Sequence, residues 1–289
     1  MTVGVTGASG RLGHAVLGEL LTRLPAGEVI AIARDPARVS IDDISVRQGD
    51  YADPDAMRAA LAGVDVLLLI SAPVVTGTDR LALHRNVIDA AVAAGVSKVI
   101  YTSVIGNEKA VGTHFEPFYQ LNKATEEYLQ ASGLNWVIAR NGLYLDLDVG
   151  HIRLAADRDG VYRNNAGEGR CGYISIAELG YALAELAVSD RCDGMAVNLF
   201  GGLHTQAELV ALVNAAYELN VRYEAVSLED NIARLLQDER IAARGREVAE
   251  MLSGCFQCME HGAYEVMSHF DRAAGRPAKS IPEQLDTLR

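Results

Sequence analysis

The stretch Thr2-Val3-Gly4-Val5-Thr6-Gly7-Ala8-Ser9-Gly10-Arg11-Leu12-Gly13 decides how the rest of the chain is read. Thr2 to Thr6 is a short strand. Glycines three apart then open a helix predicted from about Leu12 to Leu24, where Leu12, Val16, Leu20 and Leu24 fall on one stripe and Pro25 stops it. A strand, a glycine turn and an amphipathic helix in this order bring bare backbone amides to the positive end of a helix, where a pyrophosphate can sit with no side chain between. The last glycine lets the helix pack closely on its strand. A plain glycine turn is the bland alternative; the βαβ context argues against it.

Working outward, short apolar runs alternate with helical patterns through the first half. Strands are predicted at Val29 to Ala33, Ser45 to Gln48, Val64 to Ile70, Lys98 to Thr102 and Trp136 to Arg140. Helices are predicted at Asp55 to Ala62, Leu81 to Ala94 and Pro117 to Ser132, with Gly95 and Gly133 closing the last two. Alternation of this kind builds a doubly wound parallel sheet, the α/β Rossmann class. Beyond Asn141 the pattern loosens, with helices expected near Ala177 to Val188, Thr205 to Leu219, Leu228 to Gln237 and Arg244 to Glu260. Short strands are expected near Tyr173 to Ser175, Ala196 to Phe200 and Arg222 to Val226. The expected division is a nucleotide domain over 1–150, with segments near 172–200 returning to it, and a smaller C-terminal α/β cap over 151–289.

The second strand ends in Arg34, where an NAD-specific site places an acidic residue for the ribose 2′-hydroxyl. An arginine there favours NADP(H), because its guanidinium matches phosphate oxygens with paired donors; Arg38 can assist, while Asp35 keeps a ribose contact open. Asp50, just after the third strand, is placed to meet the adenine amino group or to form an Asx turn with Gly49.

Composition narrows the partners. The 289 residues carry 38 acidic and 26 basic side chains, a net charge of -12, which is the wrong sign for nucleic acid or an anionic membrane surface. The longest apolar run, around Val66 to Ile70, is a buried strand rather than a membrane span, and no secretory leader precedes Gly4. A cytoplasmic location is therefore expected. Of the four cysteines, Cys255 and Cys258 are the one close pair; without further ligands at metal spacing they read as inert thiols, and no metal site is predicted.

With those residues read, the sequence resembles the NmrA-like branch of the atypical short-chain dehydrogenase/reductases, and within it the quinone oxidoreductase type 2 and triphenylmethane reductase proteins. The likeness spans nearly the whole chain. It is carried by Thr6 to Gly13, Ile30 to Pro36, Leu67 to Ser71, His84-Arg85-Asn86-Val87-Ile88-Asp89-Ala90-Ala91, Tyr101-Thr102-Ser103, Arg140-Asn141-Gly142-Leu143-Tyr144 and Ala166-Gly167-Glu168-Gly169-Arg170. The resemblance implies a Rossmann core, NADPH in the cleft and reduction of quinones or similar small planar acceptors. It places Gly7, Ala8, Ser9, Gly10, Arg11, Leu12, Gly13, Ser71, Ala72 and Ser103 along the cofactor, and Asn141, Gly142 and Tyr144 near the nicotinamide and the substrate.

The chain departs from that pattern at Tyr119 and Lys123, the Tyr-x-x-x-Lys spacing by which mainstream short-chain dehydrogenases donate a proton. Four residues apart on a helix, they share a face, so the lysine is expected to lower the phenol pKa and to lie near the nicotinamide ribose. Helical counting assigns the packed stripe to Phe118, Leu121, Thr125, Tyr128 and Ser132. The bland reading is an exposed surface with a Lys123 to Glu127 pair. A ketone substrate requires such a donor, whereas a quinone does not.

Two rivals stand beside the reductase. One is an NmrA-type regulator that senses NADP(H) without turnover. The other is a nucleotide-sugar epimerase, which needs a diphosphate clamp in the cap; Arg153, Arg158, Arg163 and Arg170 are interspersed with acids there. The oligomeric state is left open, a homodimer among the forms allowed.

Overall fold

The computed structural model describes residues 1–74 and 77–289. The first half runs β1 (Val3–Val5), α1 (Arg11–Leu21), β2 (Val29–Ala33), β3 (Ser45–Gln48), α2 (Pro54–Ala60), β4 (Val66–Leu69), α3 (Arg80–Ala94), β5 (Lys98–Val104), α4 (Glu116–Gln130) and β6 (Asn135–Asn141). The second runs β7 (Leu143–Tyr144), α5 (Leu145–Ala156), β8 (Val161–Asn164), β9 (Cys171–Ile174), α6 (Ile176–Val188), β10 (Met195–Leu199), β11 (Leu203–His204), α7 (Gln206–Tyr217) and β12 (Arg222–Ala225). It closes with α8 (Leu228–Leu235), α9 (Glu239–Ala242), α10 (Arg246–Glu260), α11 (Phe270–Ala274) and α12 (Ile281–Asp286).

Seven strands form one parallel sheet in the order β10-β6-β5-β4-β1-β2-β3. The order reverses between β1 and β4, and a crevice at such a reversal is where open α/β sheets bind ligands, beyond the carboxyl ends of the strands. Alternate residues bury both faces. Val3, Val5, Ala31, Leu68, Ile100 and Val137 pack with α1 and α6, while Ile30, Ile32, Leu67, Leu69, Val99 and Tyr101 pack with α2, α3 and α4.

Helix starts follow their caps. Asp53 accepts from the Asp55 and Ala56 amides ahead of Pro54, Asp79 accepts from Ala82, and Gly95 closes α3 in the left-handed region at φ 76°. The structure differs from the sequence expectation in several places. Helix α1 ends at Leu21, three residues before the last leucine of its stripe. The expected helix from Arg244 to Glu260 is α10, which begins at Arg246 behind Gly245 at φ 94°, and the short α9 ahead of it was not expected. Strand β10 returns to the main sheet beside β6, but β9 joins the small β11-β9-β7 sheet instead. Helix α5 occupies a stretch for which no element was expected.

Candidate functional site

The loop between β1 and α1 is built around what its glycines leave out. Gly7 adopts φ 62° against Ile70, a conformation that a side chain resists. At Gly13 a Cβ would collide with the Gly7 carbonyl oxygen and stand 2.9 Å from Ala8 Cα. Gly10 is the N-cap of α1 and no side chain caps the helix, so its first-turn amides are left for another acceptor. Ala8, Leu12 and Gly13 are buried beneath, while Ser9, Gly10 and Arg11 are exposed above. A cradle that a single Cβ would fill, at an uncapped positive helix end, fits the pyrophosphate of a dinucleotide. On its rim Arg11 donates to Asp146 at 2.8 Å, and the second oxygen of Asp146 accepts from the Ile176 amide, which ties the loop to the starts of α5 and α6.

At the end of β2, Arg34 and Arg38 are both exposed, and neither side chain has a partner among the described residues. Asp35 is committed elsewhere: its carboxylate accepts from the Ala37 amide at 3.2 Å, capping a short 3-10 turn. Asp50 likewise accepts from the Ala52 amide at 3.0 Å, the Asx-turn geometry, and Gly49 is required beside it because a Cβ would stand 2.7 Å from Ile32 Cγ2.

Ser71 and Ala72 leave β4 beside the glycine loop. The Ser71 amide and hydroxyl bond to Thr102 at 2.9 and 2.8 Å, and Ala72 is held at both ends by side chains of α3. Asn141 ends β6; its Nδ2 lies 3.4 Å from the Tyr144 hydroxyl, and its Oδ1 is buried with no partner among the described residues. Burial pushes the Tyr144 phenol up, against the hydrogen bond from Asn141. Gly142 is forced by proximity, a Cβ there standing 2.7 Å from Phe200 Cβ.

A small cavity between α4 and the sheet gathers Ser103, Tyr119, Asn122, Lys123, Glu126 and Arg140. The helix orientation differs from the expected one: its buried residues are Asn122, Thr125, Glu126 and Leu129, and Leu121, Tyr128 and Ser132 flank them half-buried or beyond. Polar residues took the inward positions because each has a partner there. Ser103 donates to Glu126 at 2.6 Å, and Glu126 receives both arms of Arg140. The phenol expectation is also corrected. Burial raises the Tyr119 pKa and outweighs the lowering by Lys123 and Arg140, so the group stays above its ordinary value. Lys123 stands 4.0 Å from Glu108, not beside Glu127. Glu126 and Arg140 line this cavity and were not among the expected residues; for Glu126 the signal was the i, i+3, i+4 spacing of Asn122, Thr125 and Glu126, a polar stripe where an apolar one was sought.

Three of the four cap arginines are spoken for: Arg163 pairs with Asp159 and Glu224, Arg170 with Glu208, and Arg153 lies over the Tyr217 ring, which leaves the exposed Arg158 without a partner among the described residues and gives a diphosphate clamp little support. Burial pushes the thiols of Cys171, Cys255 and Cys258 up, away from reactive thiolate. Among the described residues no group of His, Cys, Asp and Glu could hold a metal ion, and no helix is long and apolar enough to cross a membrane.

Comparison with known proteins bears on this geometry. The profile of a family described as NAD(P)H-binding matches residues 7–183. Quinone oxidoreductase 2 of Escherichia coli is 32% identical, covering 99% of this chain and 98% of its own length. The crystal structure of that type of enzyme complexed with NADPH superposes with a TM-score of 0.87 at 30% identity, over 99% of each chain. The Citrobacter triphenylmethane reductase complexed with NADP(H) superposes over 100% of both chains, again with a TM-score of 0.87, at 27% identity. Fold, phosphate cradle and these likenesses converge: the chain belongs to the NAD(P)H-binding family and is an NAD(P)H-dependent oxidoreductase of the NmrA-like kind.

Proposed function

We propose that the chain reduces a small planar acceptor of the quinone type with NADPH. The observation that carries the proposal is the full-length likeness to quinone oxidoreductase 2, joined to the free Arg34 at the end of β2. The amides from Gly7 to Gly13 hold the pyrophosphate, Arg34 with Arg38 the 2′-phosphate, and Ser71, Ala72, Ser103, Lys123, Asn141 and Gly142 line the path toward the nicotinamide. Bound NADPH supplies the hydride.

The chain's part is alignment. Ser71 and Ala72 have their hydrogen-bonding groups turned into the protein, so they offer the cleft a fixed wall. Tyr144, half-buried and with its phenol pKa raised, contributes a ring and a hydroxyl to the acceptor side. Quinol oxygens take their protons from water, which leaves Tyr119 without a required step; a ketone acceptor would need its proton. The test is steady-state NADPH oxidation against a panel of benzoquinones, naphthoquinones and simple ketones. Turnover with quinones supports the proposal. Tight NADPH binding with no turnover on any acceptor overturns it in favour of a cofactor sensor, and turnover confined to ketones overturns the quinone assignment.

A further inference from the structure

Below the Ala72 wall lies a fully buried polar chain that the proposed mechanism does not use. The Ala72 amide donates to His84 Nε2 at 2.9 Å, and the Ala72 carbonyl accepts from Arg80 Nε at 2.6 Å. The other imidazole nitrogen, Nδ1, lies 3.1 Å from Thr125 Oγ1 and 3.4 Å from the Tyr101 hydroxyl. Both of those hydroxyl protons are already placed. Thr125 donates to the Leu121 carbonyl at 3.0 Å, and Tyr101 donates to Asn122 Oδ1 at 2.9 Å. With Nε2 accepting and no proton arriving at Nδ1, the one arrangement that satisfies every group is a neutral imidazole whose proton sits on Nδ1 and is donated to Thr125.

We infer that His84 is a positioning residue: through this tautomer it fixes the Ala72 wall against α4, the helix that carries Tyr119 and Lys123, and so sets the width of the site across which hydride is transferred. The inference rests on the proposed reading that Ala72 and Lys123 border the cofactor. Arg80 completes the clamp, stacking 4.6 Å over the Phe118 ring of α4 while holding the Ala72 carbonyl. The groups facing the imidazole are Arg80 from its own helix, Tyr101 from β5 and Thr125 from α4, and none is a carboxylate. An imidazolium would turn a proton toward the Ala72 amide; burial and the Arg80 charge accordingly hold the His84 pKa down at about 3.

Two measurements test this. In the first, imidazole nitrogen signals of the uniformly labelled, cofactor-free protein are followed between about pH 5 and pH 8. His84 is expected to show a protonated Nδ1 and a bare Nε2 throughout; a protonated Nε2, or titration within that window, overturns the inference. The second compares His84→Gln, whose amide can accept from Ala72 and donate to Thr125, with His84→Leu, which breaks both links of His84, and Thr125→Val, which breaks the one to α4. For the broken chains kcat is expected to fall by about tenfold or more, since small misplacements of reacting groups cost that much, with His84→Gln recovering most of it. Folded His84→Leu or Thr125→Val protein with wild-type kcat overturns the role, as does a His84→Gln variant no better than the broken chains. Wild-type protein that binds no NADPH would instead remove the underlying functional reading and leave the tautomer result standing.

Discussion

Arg34 and Tyr119 show how differently a single side chain can be read. Arg34 is exposed and its side chain has no partner among the described residues, so its contribution appears when a phosphate arrives. Arg34→Glu is expected to weaken NADPH binding by about tenfold or more while changing NADH binding little, because one charge-assisted pair is worth roughly 1.5–3 kcal/mol and concerns the 2′-phosphate alone. Fluorescence titration with both coenzymes checks it, and equal weakening of the two would remove the 2′-phosphate assignment. Tyr119 sits in the cavity with Ser103, Lys123 and Arg140, but burial holds its proton on and the Ser103 hydroxyl is donated to Glu126. Tyr119→Phe is therefore expected to leave quinone turnover within about twofold of wild type, the limit for a group outside the proton path. A loss near a hundredfold would restore it as the acid.

Helix α1 matters to function through the surface it packs on. Gly180 of α6 meets Ala15 so closely that a Cβ would stand 2.9 Å from Ala15 Cβ, whereas Gly18, three residues along on α1, has open space around it. Gly180→Val is expected to destabilise the protein by about 1–3 kcal/mol and to weaken NADPH binding, since α1 must move and carries the phosphate cradle with it. Gly18→Ala is expected to stabilise by about 0.5–1 kcal/mol with binding unchanged, helix propensity being its sole effect. Denaturant melts with titrations distinguish them, and an equal response at the two glycines would remove the close-packing explanation. The same logic governs what the sequence could disclose. Strands β2 and β3 were legible to the residue because turn signals bracket both, Asp35-Pro36 after the first and Gly49-Asp50 after the second. Helix α5 was not, because Asp146 and Asp148 break its apolar stripe, and both are inward with partners that are remote in sequence: Arg11 and the Ile176 amide for one, the Tyr162 hydroxyl at 2.6 Å for the other. The glycine cradle and Arg34 were visible as local spacing, while the inward polar faces of α3 and α4 were not, since a buried Asn122, Glu126 or His84 is told from an exposed one by what lies across from it.

Across the whole molecule, the end of the chain is stitched onto the nucleotide-binding half. Glu178 of α6, its side chain 4% exposed, receives both arms of Arg276 at 2.8 Å and the Lys279 amide at 3.2 Å. Gln284 of α12 accepts from the Ser175 amide at the N-cap of α6, so α6 is held on one side by the C-terminal segment and on the other by α1. Burial alone would raise the Glu178 pKa; the hydrogen bonds and charges of Arg276 and Lys279 outweigh it and hold the carboxyl below its usual range. A folded pKa below the unfolded one contributes stability that is present above the unfolded value, about 4.3, and is lost as pH falls through the folded value. Arg276→Ala is expected to lower stability by about 2 kcal/mol at neutral pH, less than a fully isolated buried charge costs because Lys279 remains 3.5 Å away. The gap between variant and wild type should then narrow as pH falls through the lowered pKa of Glu178 and close once that carboxyl is protonated in both. Denaturant melts from neutral to acid pH test this, and a gap of constant size would mean that Arg276 acts by stacking 4.0 Å over the Tyr181 ring rather than through its charge.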